Sequence, residues 1–264
     1  MPPSHPRIAA TVTGMSEGRP PNPSELSQLE ARYAALHGFV HESAPPARRA
    51  GGHSSLRLVL FRHSIRGPIP LDRYARDVPL LPAGAALAQD FGGRWRRPVS
   101  AVLSSPLQRC THTARHFLDG AGLEIATRTT RALGAPGAFV RDEDGAWDDY
   151  VRHRKHQLVR EARLRPEALR GYGTPAWGVR ALVEQLESHW SSSSSAHGDE
   201  SASVLLGFSH DLLMSLLLTW AFDREWTDED WPEFHEGLVA WREGGELCVW
   251  YRGSQVRRAL PAQE

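Results

Sequence analysis

Of the 31 basic residues in this 264-residue chain one, Lys155, is a lysine, and the rest are arginines. Cysteine is almost as scarce. Cys110 and Cys248 lie far apart, which offers neither a disulfide framework nor zinc-ligand spacing and fits a reducing compartment. No run of about 18 apolar residues occurs, and the opening stretch MPPSHPRIAATVTG lacks a basic segment followed by a long apolar one. The expectation is therefore a cytoplasmic protein with no membrane partner. Acidic residues also number 31, so there is no net field to draw in a nucleic acid, and none is expected as a partner. A Gly-rich loop ending in Gly-Lys-Ser/Thr is missing too, which excludes a P-loop nucleotide site. The arginine excess has two readings, genomic base composition or a need for planar, bidentate recognition of anions.

What is present suffices for one globular domain with appendages, since 41% of the chain is apolar. Residues 1–50 read as a largely disordered amino-terminal extension, with six prolines in the first 24 positions. A short helix is predicted within it from Glu25 to about His37, capped by Ser24, with Leu26, Leu29, Tyr33 and Leu36 at helical spacing. Residues 51–264 read as the main domain. Leu56 to Phe61, Val99 to Leu103 and Val204 to Phe208 are largely apolar runs, interrupted at Arg57 and Ser100, of the kind that strands buried on both faces require. Each is followed by a polar cluster and a helical stretch. Glu246 to Arg252 alternates and is predicted to be an edge strand. Strands alternating with helices predict an α/β fold, a three-layer α/β/α sandwich around a mostly parallel central sheet. A charged helical stretch between Gly and Pro breaks predicts a small helical cap inserted at about residues 134–174.

In such sheets ligands bind beyond the carboxyl ends of the strands. The three apolar runs deliver Arg62-His63 with Arg66, then Arg109 shortly after Ser104-Ser105, then His210-Asp211. Guanidinium forks and histidines converging on one crevice suit a dianionic phosphate. R-H-x-x-R alone is weak, because in so arginine-rich a chain it arises by chance in roughly one sequence in six. Context separates it from Arg115-His116 and Arg152-His153, which follow no buried strand.

The motif Arg62-His63-Ser64-Ile65-Arg66-Gly67-Pro68 resembles the R-H-G-x-R-x-P signature of the histidine phosphatase superfamily, in particular its acid-phosphatase and phytase branch. Leu81-Pro82-Ala83-Gly84 with Gln89, Ser104 to Arg109, and Ser209-His210-Asp211 are similar to its later motifs in order and spacing over about residues 56 to 252. The resemblance implies a catalytic domain that hydrolyses the phosphomonoester of a small molecule through a phosphohistidine on His63. Arg62, Arg66, Arg109 and His210 would hold the phosphoryl oxygens and Asp211 would be the proton donor. It implies no cofactor and no metal, the arginines stabilising the charge. Two departures stand out: Ser64 replaces the motif glycine, and the secreted, disulfide-bonded character of that branch is missing.

Other readings stay open at this stage. Ser64 blocking attack would leave a non-catalytic phosphate-binding pseudophosphatase, and the same pocket could serve a phosphomutase or a biosynthetic tailoring enzyme. Gly207 to Asp211 also has the shape of a nucleophile elbow, with Ser209 attacking and His235 as base, although Asp211 stands where the elbow needs a small residue. His112 and His116 have a zinc-like spacing without a third ligand. Trp147, Trp177, Trp226 and Trp231 are candidates either for lining an apolar pocket or for core packing. The sequence carries no signal for oligomeric state.

Overall fold

In the computed structural model the described residues are 21–42, 57–69, 77–193 and 204–262, so the predicted amino-terminal tail lies mostly outside them. The central element is a seven-stranded sheet of order β3-β2-β4-β1-β5-β6-β7. Its parallel half comprises β1 (Arg57–Arg62), β2 (Val99–Ser104), β3 (Thr127–Thr129) and β4 (Val204–Ser209). An antiparallel meander of β5 (Gly237–Glu243), β6 (Glu246–Tyr251) and β7 (Ser254–Ala259) extends it from β1. Five strands thus run one way and β5 and β7 the other.

Side chains of successive strand residues point to opposite faces, and both faces of β1 are apolar. Leu58 and Leu60 join the core on one side, Val59 and Phe61 the core on the other. The first core is closed by α4 (Glu143–Leu164), α5 (Pro175–Ser193) and α6 (Asp211–Phe222). The second is closed by α1 (Pro23–Glu42), α2 (Pro82–Gly93) and α3 (Gln108–Ala121). The result is the expected three-layer α/β/α sandwich.

Three expectations need correction. The helix of the amino-terminal extension starts at Pro23 and is capped by Asn22 rather than Ser24. The Asn22 Oδ1 accepts from the Glu25 N–H at 3.0 Å and the Glu25 Oε2 from the Asn22 N–H at 2.8 Å, with proline suited to the first helical position. The helix packs on the domain: Leu29, Tyr33, Leu36 and Val40 are buried, and the Tyr33 ring stacks on Phe91 at 4.0 Å. Second, the strand beginning at Glu246 is not at an edge, because it pairs with β5 and β7 on its two sides. The edge is β7, whose SQVRRA sequence is largely exposed and too charged to show an apolar alternation, a common guard against edge-to-edge pairing. Third, the low-complexity run Ser191–Ser195 has the composition of a flexible loop, yet α5 continues through Ser191–Ser193.

Candidate active site

β1, β2 and β4 are neighbours, and their registers bring their carboxyl ends level. Arg62 faces Ser209, and Ser104 faces Phe208. The ladder continues one residue further through bonds from the His63 N–H to the Ser209 carbonyl and from the Ser105 N–H to the Phe208 carbonyl, both 2.9 Å. His63, Ser105 and His210 therefore leave the same edge of the sheet.

His63 is 2% exposed, and its Nδ1 lies 2.8 Å from the Ser64 carbonyl. A carbonyl only accepts, so Nδ1 carries the proton and Nε2 keeps a lone pair. Burial, followed by Arg62, Arg109, His210 and Arg66, holds the ring's pKa well below its ordinary value, so it stays neutral at working pH. Ser64, the departure from the motif glycine, turns away from the pocket. Its hydroxyl donates to the Gly84 carbonyl at 2.8 Å and its N–H donates to the Thr113 hydroxyl at 2.9 Å. Gly84 must be glycine, since a Cβ there would run into the Ile65 carbonyl.

Arg62, Arg66 and Arg109 are all buried. Arg62 donates to the Pro232 carbonyl at 2.7 Å, lies over the Phe234 ring at 4.0 Å and reaches Asp211 Oδ2 at 3.1 Å. Arg66 is turned inward by a bridge to Leu80 and donates to the Gly67 carbonyl. Among the described residues lining the cavity Asp211 is the one carboxylate, against Arg66, Arg109, Arg154 and Lys155. A cavity with that imbalance attracts an anion.

His210 precedes α6 as its N-cap. Its Nε2 lies 2.8 Å from the Ser105 hydroxyl, and its ring is edge-on to His63 at 5.5 Å. Burial, then Arg109, holds it neutral. The ring is pressed against Gly134, where a Cβ would stand 2.6 Å from Nε2 and 2.9 Å from the Ser105 hydroxyl, and where φ is +143°. Only glycine fits there.

Asp211 opens α6, and its two oxygens are used differently. Oδ1 accepts from the Leu212 N–H at 2.9 Å. Oδ2 faces Arg62 at 3.1 Å, Lys155 Nζ at 3.4 Å and the Trp231 Nε1–H at 3.1 Å. Burial would raise this carboxyl's pKa, but Arg62, Lys155 and the Trp231 hydrogen bond outweigh it and hold it well below the usual carboxylate range. At rest Asp211 is therefore ionised.

Five of the six residues singled out from the sequence, His63, Arg66, Arg109, His210 and Asp211, thus line one cavity of about 260 Å³, and the sixth, Arg62, stands behind it against Asp211. Sequence reasoning missed Lys155, which reaches Asp211 because α4 is broken at Arg154, a left-handed residue with φ 59°. A lysine otherwise absent from the chain was the available signal. Of the four tryptophans, Trp147 lines the cavity, Trp231 contacts Asp211, Trp226 belongs to the core and Trp177 packs under Arg141. The nucleophile elbow is not formed. The Ser209 hydroxyl donates to the Leu133 carbonyl at 2.7 Å, and His235 is buried against Phe61, Phe91 and Phe117 with neither ring nitrogen hydrogen-bonded. Among the described residues no group of three or more His, Cys, Asp or Glu is placed to hold a metal ion, and no helix is long and apolar enough to cross a membrane.

The fold is a doubly covered α/β sheet whose strand ends carry buried histidines and arginines, and comparison with known proteins assigns it to a family. The family model described as the histidine phosphatase superfamily (branch 1) matches residues 71–242. The chain belongs to the histidine phosphatase superfamily, whose members support a phosphatase- or phosphomutase-type activity. The matched span begins beyond Pro68, so it is independent of the Arg62 to Pro68 motif. It is the branch 1 model that matches, and the expected acid-phosphatase and phytase branch is not confirmed.

No curated protein matches the chain. Among solved structures, YhfR of Bacillus stearothermophilus aligns at 18% identity and a TM-score of 0.49, covering 75% of this chain and 97% of that one. A mycobacterial glucosyl-3-phosphoglycerate phosphatase aligns at 19% identity and 0.45, over 78% and 97%. A phosphoglycerate mutase from Bacillus anthracis aligns at 14% and 0.46, over 78% and 92%. None of these scores reaches 0.5, so the assignment rests on the family match.

Proposed function

We propose that the protein hydrolyses the phosphomonoester of a small molecule through a phosphohistidine on His63, without a metal. The observation that carries this reading is the Nδ1 contact to the Ser64 carbonyl, which commits the neutral ring to presenting Nε2 as nucleophile. Arg62, Arg66, Arg109 and His210 would hold the phosphoryl oxygens and stabilise the charge that spreads over them in the transition state.

In the first step the Nε2 lone pair forms the bond to phosphorus as the ester P–O bond breaks. The leaving alkoxide needs a proton, and at rest Asp211 has none to give. Arrival of a dianion resolves this, because it engages Arg62 and places negative charge beside the carboxylate, raising its pKa. In the second step water attacks the phosphohistidine, Asp211 accepts the water proton, and phosphate leaves with His63 restored. The bond of the Ser64 hydroxyl to the Gly84 carbonyl turns that side chain away from the pocket, which supports the catalytic over the non-catalytic reading. The two free cysteines suit the cytoplasm, which belongs to the same proposal.

The test is phosphate release from a panel of phosphomonoesters in EDTA, with labelling of the protein quenched in detergent at alkaline pH. His63→Ala should abolish both turnover and the acid-labile label, on the order of 10⁴-fold or more. Turnover that survives His63→Ala, or that requires an added metal, would overturn the proposal. Transfer of the label to a second hydroxyl in place of water would mark a mutase.

A further inference from the structure

The cavity is larger than a phosphoryl group needs, and the chemistry of the remainder is uneven. Beyond His63 and the arginines its walls are Phe139, Leu213 and Leu216 on the sheet side, Trp147 and Tyr150 from α4, and Tyr172. The Trp147 and Tyr150 rings lie side by side on α4, 6.1 Å apart and inclined by 26°. Among the described residues lining the cavity none is Asn, Gln, Ser, Thr or Glu, which leaves the Tyr150 and Tyr172 hydroxyls as the uncharged side-chain groups on this side able to pair the hydroxyls of a sugar or glycerol. Two cations are present on this side, but Lys155 is committed to Asp211 at 3.4 Å and Arg154 is exposed on the kink of α4. A hydroxyl buried there without a partner loses its bonds to water and gains none in return, whereas a ring or alkyl chain gains apolar contact on every side. The volume, about 260 Å³, lies below the roughly 300–1,000 Å³ of drug-sized sites, so the group is small.

We infer that the leaving group of the substrate is a small uncharged aryl or arylalkyl alcohol, held flat against Trp147, Tyr150 and Tyr172. This rests on the phosphatase reading of His63 and deepens it. Leaving groups differ in basicity as well as in polarity, so an activated aryl phosphate set against a sugar phosphate would confuse the two. The informative pair has equally basic alkoxides.

The experiment measures Kd by calorimetry on the full chain for two non-hydrolysable phosphonates, 3-phenylpropylphosphonate and 3,4-dihydroxybutylphosphonate, the methylene analogues of 2-phenylethyl phosphate and glycerol 3-phosphate. It then compares kcat/KM for 2-phenylethyl phosphate, glycerol 3-phosphate and 3-phosphoglycerate. The aryl member should win roughly 10- to 100-fold in both measurements, the range expected when apolar groups are matched or mismatched to a hydrophobic pocket. Trp147→Ala should cut that ratio about tenfold, and Trp147→Phe should restore part of it. Equal or tighter binding of the dihydroxy phosphonate, or a preference for 3-phosphoglycerate, would overturn the inference while leaving the role of His63 intact. Failure of His63→Ala to abolish turnover would sink the mechanism, and the phosphonate ratio would still decide the leaving group.

Discussion

On one side of the cavity the functional side chains come from the end of β1 and the turn after it, from the first turn of α3 and from the start of α6, and Arg62, His63, Arg66, His210 and Asp211 are each held by a short bond to a neighbouring residue. On the other side the wall is α4, broken at Arg154 and carrying exposed residues such as Val151 at 52%. The strand-end side holds charge rigidly, which electrostatic stabilisation of a phosphoryl group requires. The helical side provides shape and apolar surface, and it touches the chemistry at one point, where Lys155 meets Asp211. The two sides can therefore change independently, the first setting the reaction and the second the substrate.

Asp211, where the two sides meet, gives the largest expected effect short of removing His63. Asp211→Asn should slow alkyl phosphates by roughly 10² to 10⁴ while costing much less with a leaving group that needs no proton, such as p-nitrophenolate. An equal loss on both would deny Asp211 the role of proton donor. Next comes the rigid side. Gly134→Ala pushes a Cβ into the His210 ring, and a displacement of about 1 Å should cost on the order of 10² in kcat/KM with most of the fold retained. Full activity in that variant would show that the side is less constrained than its packing implies.

These effects concern residues of which some were legible in the sequence and others were not, for a physical reason. Strands β1, β2 and β4 are covered on both faces, so they read as largely apolar runs, and the polar residues at their carboxyl ends stand out against them. Strands β3 and β7 are short or charged edges and leave no such trace. His63, Arg62, Arg66, Arg109, His210 and Asp211 lie within or beside local motifs. Lys155 and Trp231 reach Asp211 across the fold, through a break in α4 and the loop before β5, and no local pattern encodes that meeting.

The contribution of Lys155 itself should be smaller and visible in pH. Its ammonium helps keep Asp211 ionised, so Lys155→Met raises the carboxyl pKa and leaves its protonated form present to higher pH. The alkaline limb of kcat for an alkyl phosphate should move upward, with a change of a few-fold at neutral pH. An unshifted limb would separate the two sides completely.

Beneath the rigid side, His235 offers a stability test. Burial lowers its pKa to about 3, so below the ordinary 6.5 the unfolded chain takes up a proton that the folded one refuses. Stability should fall by up to about 1.4 kcal/mol per pH unit from this residue as pH drops below about 6.5. His235→Phe, among Phe61, Phe91 and Phe117, should flatten the decline of Tm between pH 7 and 5. A decline of unchanged slope would assign the acid sensitivity to His63 and His210, which have the same sign. The smallest effect expected is that of Ser64→Gly, which removes one inward hydrogen bond worth about 1 kcal/mol and should leave kcat within a few-fold.

The position of β1 in the sheet has a consequence for biosynthesis. The strand that carries His63 gains its two neighbours only from residues 204–209 and 237–243. A ribosome adds about 5 to 20 residues per second, so the nucleophile waits about 7 to 29 seconds, unpaired on both sides, before the first partner has been made. A nascent or proteolytically shortened chain lacking those residues has no pocket, and the exposed run from Leu58 to Phe61 is then the segment most in need of a chaperone.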